Sequence, residues 1–71
     1  MPLALLSVGE SGVVDTLRGK EEVVHHLQNL GFSSGTEVSV VGQSGSGMIL
    51  AVRGSRIALN RGLASKIMLT E

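Results

Sequence analysis

Two adjacent histidines, His25 and His26, are preceded at four-residue spacing by Glu21 and Glu22. Imidazole and carboxylate together are ligands for a divalent metal. Neighbours on a helix point about 100° apart, so the two histidines cannot share one ion there. Glu22 and His26 could share one, as could Glu21 and His25, because residues four apart lie on the same face. A closed site usually takes about four ligands, and two are too few. The most that Glu22, His26 and His25 offer is a surface divalent ion completed by a second copy. Solvated surface histidines are the plainer account, so no firm metal site and no cofactor are expected.

The other candidates for catalysis are weaker. The chain has no Cys, which excludes disulfides, thiolate metal sites and cysteine nucleophiles. Ser7, Ser11 and Ser65 have no evident base, and Gly45-Ser46-Gly47-Met48 lacks the strand-to-helix setting of a nucleophile elbow. No Gly-Lys-Ser/Thr follows the Gly-rich stretch at 43–47, so it is not a phosphate-binding loop. The expectation is a protein that is not an enzyme.

Arg53 and Arg56 say more. They flank Gly54-Ser55, which reads as a two-residue type II′ hairpin turn with Gly first. That register sets Arg53 opposite Arg56, Val52 opposite Ile57, Ala51 opposite Ala58 and Leu50 opposite Leu59. The large aliphatics then share one face, and the two arginines and two alanines share the other. Like charges directly opposite are unfavourable by some tenths of a kcal/mol, which points to a partner carboxylate or phosphate, although long arginines can also splay into water. The candidate partner-binding face is therefore the Ala51/Ala58 strip edged by Arg53 and Arg56, with Arg61 and Lys66 on the same side.

Charge argues against nucleic acid, and its distribution reads as ordinary solvated faces or, more sharply, as a docking surface. The net charge is zero, and phosphate binding needs surplus Lys and Arg. Its distribution is dipolar: residues 1–47 set two cations against five carboxylates, and residues 48–71 set four cations against Glu71 alone.

The elements that must position these residues are short. Ten glycines among 71 residues, scattered without a period, mark many turns. Residues 3–10 are an apolar lead-in and 12–18 a β-branched first strand. Residues 20–30 form the one good helix, with Val23, Leu27 and Leu30 as its apolar stripe. Gly31 stands at its C′ position, which pairs Phe32 with Leu27 in a Schellman ending. The helix start lacks a strong N-cap. A second strand covers 36–41, a mobile loop 43–47, and the hairpin strands 48–53 and 56–59. Asn60 caps a single helical turn, 61–64, before a last strand at 65–69. The order is β-α-β-β-β-(short α)-β, mainly β with one helix, and such short strands lose their edges by curling into a small barrel. One domain over 1–71 is expected, with the helix plugging or flanking one open end.

No apolar run approaches the roughly 18 residues that a membrane span needs. The opening residues lack the basic region and cleavage site of a signal peptide. A protein that does not itself span a membrane, and a cytoplasmic location, are the expectations.

Three groups of residues stand out when taken in order. Leu3, Leu6, Gly9, Glu10 and Gly12 form an L-x-x-L-x-x-G-E-x-G opening. Leu27, Leu30, Gly31, Gly35, Thr36 and Val38 span a helix ending and the strand after it, and Ala58, Leu59, Ala64 and Ile67 form an A-L-x-x-x-x-A-x-x-I close. Together they resemble the FeoA (ferrous iron transport protein A) family. Two positions depart from the pattern: the loop between the second and third strands has no Pro, and Asn60 stands where Arg is common. The resemblance implies an SH3-like β-barrel without catalytic activity. It also implies a cytosolic accessory of ferrous-iron uptake that binds and modulates the membrane ferrous-iron transporter FeoB, through the transporter's cytosolic part. A similar barrel ends some iron-dependent repressors, so a metal-sensing regulatory module is the alternative, and a weak homo-oligomer whose assembly is its function is a third.

Overall fold

Strand β1 (Ser11–Leu17) is bent and serves two neighbours. Its first half pairs antiparallel with β2 (Glu37–Ser44), Ser11 opposite Ser39 and Val13 opposite Glu37. After a bulge between Val14 and Thr16, its second half pairs with β5 (Ile67–Leu69), Leu17 opposite Ile67. With β3 (Gly47–Val52) and β4 (Ser55–Asn60) the sheet runs β4-β3-β2-β1-β5. The structure is a computed structural model and describes residues 1–70. Helix α1 (Glu21–Asn29) follows β1, and α2 (Arg61–Ala64) links β4 to β5. The expected element order holds, with a 3₁₀ turn at Leu3–Leu5 inside the apolar lead-in.

The sheet curls into an SH3-like barrel, but strand pairing does not close it. β4 and β5 are its two outer strands and do not pair with each other. α2 bridges them, and the 3₁₀ turn packs against both α2 and β5. The outer side of β5 is taken by the start of the chain: the Leu69 N–H donates to the Met1 carbonyl at 2.7 Å, and the Met1 ammonium donates to the Leu69 carbonyl at 3.1 Å.

Alternation along the strands builds the interior. Val38 and Val40 of β2, Met48, Leu50 and Val52 of β3, Leu59 of β4, and Ile67 and Leu69 of β5 all face inward and are buried. Each large side chain contributes about 1.5–3 kcal/mol when fully buried. Among the described residues no polar or charged side chain is buried, so the core carries no desolvated charge.

Helix α1 ends as its sequence predicts. The Phe32 N–H donates to the Leu27 carbonyl and the Gly31 N–H to the Gln28 carbonyl, both at 3.0 Å, which is the Schellman pair. Gly31 has φ 110°, a value that side chains with a β-carbon avoid. Leu27 and Phe32 are fully buried, and the helix lies across one end of the barrel. Lys20 stands at the N-cap with no side-chain bond, the weak start that was expected.

Two expectations fail in the hairpins. The supposed mobile loop at 43–47 is a tight turn: β2 continues to Ser44, which lies opposite Gly47, leaving Gly45 and Ser46 as the connection. The β3–β4 turn is Arg53-Gly54, not Gly54-Ser55. Val52 lies opposite Ser55, Ala51 opposite Arg56, Leu50 opposite Ile57 and Ile49 opposite Ala58. Both turn residues have positive φ, 51° at Arg53 and 78° at Gly54, as a type I′ turn requires. The register has slid by two residues, and two is the side-chain period of a strand, so every side chain keeps its expected face. Only the partners change, and Arg53 no longer opposes Arg56.

Candidate partner-binding face

Outward-facing residues of β1 to β4 fall in rows. One row runs Ser11, Ser39, Ala51, Arg56 across the four strands, and the next runs Gly42, Ile49, Ala58. The residues of these two rows are mostly small or apolar. Ile49 is half-buried because its side chain lies over Gly42, its Cδ1 3.5 Å from where a β-carbon there would stand. A bulge between Val40 and Gly42 leaves Val41 as an extra residue, 41% exposed, beside this row. Bulges twist and re-aim a strand, and this one turns an apolar side chain outward.

The residues singled out from sequence do not all meet here. Ala51, Ala58 and Arg56 do share the outer face, with Ala58 and Arg56 exposed. Arg53 sits in the turn at its edge, its stem over Gly31. Arg61 lies past the other end of β4 and donates through Nη1 to the Ala4 carbonyl at 2.8 Å, tying α2 to the 3₁₀ turn. Lys66 is half-buried, with its stem beside Gly19 at the start of α1. Ile49, Gly42 and Ser39 were missed. Strand parity from Ala51 would have found Ile49.

The metal candidates stay apart from this face. Glu21, Glu22, His25 and His26 are all exposed on α1. Among the described residues no group of three or more His, Cys, Asp or Glu side chains comes together to hold an ion. The described residues also enclose no pocket. Among the described residues no helix is long and apolar enough to cross a membrane.

The FeoA domain family matches residues 1–71, every residue of the sequence. The chain belongs to the FeoA family. It is 31% identical over 70 residues to the protein named Putative Fe(2+) transport protein A of Methanocaldococcus jannaschii, covering 99% of this chain and 85% of that one. Among solved structures it is similar to the zinc complex of FeoA from Stenotrophomonas maltophilia, at 26% identity and a TM-score of 0.87, covering 99% of this chain and 89% of that one. That protein is described as a prokaryotic SH3 domain protein and a candidate activating factor for bacterial ferrous iron transport. A manganese-dependent transcriptional repressor in complex with manganese superposes with a TM-score of 0.90 at 16% identity, over 99% of this chain and 35% of the repressor. That likeness shows a shared fold. The family places the chain as a small, non-enzymatic accessory of ferrous iron transport, associated with the Feo system.

Proposed function

We propose that residues 1–71, acting as one domain, form a cytoplasmic adaptor that binds the cytosolic part of the membrane ferrous-iron transporter and modulates it by protein contact. The outer face of the β3–β4 hairpin is the contact surface, with Ala51, Ala58 and Ile49 at its centre and Arg56 and Arg53 at its rim. The observation that carries this reading is the exposure of Ala58 and Arg56 on the outer face of the hairpin, beside the small or apolar Ala51 and Ile49. Apolar centres rimmed by arginine are a common composition of protein interfaces. The activating role described for the Stenotrophomonas maltophilia protein fits the same reading.

The test is retention of the transporter's soluble cytosolic domain on immobilised protein, with and without GTP. Arg53→Glu with Arg56→Glu is expected to abolish retention while the fold persists, because both side chains are exposed. Unchanged retention by the double variant would remove the hairpin face from the interaction.

A further inference from the structure

β4 is an outer strand whose free side is open. A two-residue turn makes its flanking residues, Val52 and Ser55, a hydrogen-bonded pair. Alternation then makes Leu50–Ile57 and Met48–Leu59 the next such pairs. The N–H and C=O groups of Arg56 and Ala58 therefore point away from β3. No backbone bond from another element reaches them, and both residues are exposed. β5 differs, because the chain start covers its outer side.

Charge says what suits this edge. From Val38 to Thr70 the sequence contains Arg53, Arg56, Arg61 and Lys66 and no Asp or Glu. Three of the four follow the strand: Arg53 in the turn before it, Arg56 within it, and Arg61 directly after it. Pairing β4 with β4 of a second copy would bring six arginines together. Cationic side chains on an edge are a device against such self-pairing. An extended acidic segment meets the same groups with complementary charge.

We infer that the free edge of β4 binds an extended, acidic segment of a partner protein by strand addition. Backbone bonds to Arg56 and Ala58 supply register, and Arg53 and Arg56 select for carboxylates. This inference rests on the hairpin being the partner-binding side and adds the form and charge of what docks there.

The full chain, labelled with nitrogen-15, is titrated with a blocked Thr-Glu-Val-Glu-Val-Glu-Thr peptide and with its Lys-for-Glu counterpart. The acidic peptide is expected to bind saturably and to slow amide exchange at Arg56 and Ala58, and the basic peptide is expected not to bind. Ala58→Pro, which removes one outward N–H at a position where an edge strand tolerates Pro, is expected to abolish binding. Arg56→Glu, which leaves the backbone intact, is expected to weaken it roughly tenfold or more. Absence of saturable binding, equal binding of the two peptides, or binding without protection at Arg56 and Ala58 would overturn the inference. A dimer by sedimentation that Ala58→Pro converts to monomer would also overturn it, by showing a second copy on the edge. Retention of the transporter domain separates the two readings. If the Ala58→Pro protein remains folded and its retention is unchanged, strand addition fails and the adaptor reading stands. If wild-type protein is not retained, the adaptor reading fails and the peptide titration still decides the edge.

Discussion

The stem of Arg53 lies across Gly31: its Cδ is 3.3 Å from where a β-carbon on that glycine would stand. The contact joins the β3–β4 turn to the end of α1, and both residues have positive φ. Gly31→Ala is expected to lower unfolding free energy by about 1–3 kcal/mol, read from urea denaturation. Adding Arg53→Ala should recover little of that loss, since a flexible stem gives way and the backbone does not.

Arg53 itself pays for its place in the turn, at φ 51°. Asn-Gly is the preferred pair for a type I′ turn, and left-handed backbone costs an ordinary L-residue about 1–2 kcal/mol. Arg53→Asn is therefore expected to raise stability by about 0.5–1 kcal/mol. Because it also removes a charge, weaker partner binding in this more stable variant would separate function from folding.

Gly12 is constrained by packing and not by its backbone angle. A β-carbon there would stand 2.8 Å from Cδ1 of Leu69, in the region where β1 passes from β2 to β5. Gly12→Ala is expected to cost about 1–3 kcal/mol through overpacking. Gly12→Ala with Leu69→Val should lose less than the two single changes summed, which denaturation of all four proteins would show.

Asn60 holds the start of α2 through a 2.8 Å bond from the Leu63 N–H to its Oδ1. Asn60→Ala is expected to cost about 1 kcal/mol and to speed amide exchange at Leu63. Asn60→Asp, which keeps the acceptor, should restore most of both.

These residues show why parts of the molecule were legible in sequence. The end of α1 was readable because Leu27, Gly31 and Phe32 each satisfy one requirement of a single motif. The hairpin faces were readable because alternation survives a slide by two residues. The turn was not, because Gly54-Ser55 fits one turn type by composition while an arginine at positive φ announces nothing in advance. The length of β2 was hidden by Gly42 and Gly45, which read as loop residues although one lies within the strand and the other in a tight turn. The proposed partner-binding face was legible only as a set of outward residues. Its separation from Lys66, and the open edge of β4, depend on which strands are neighbours in the sheet, and local spacing does not encode that.

The missing pairing between β4 and β5 makes the cylinder slit along its length. Its clasp is small: the turn of α2, the bond from Arg61 to the Ala4 carbonyl, and the apolar contacts beneath them. A slit tube can gape without breaking any rung of its ladders. Native-state amide exchange is therefore expected to show this slit parting before any ladder opens, with Leu63 of α2 exchanging faster than Val38 or Leu50 of the central strands.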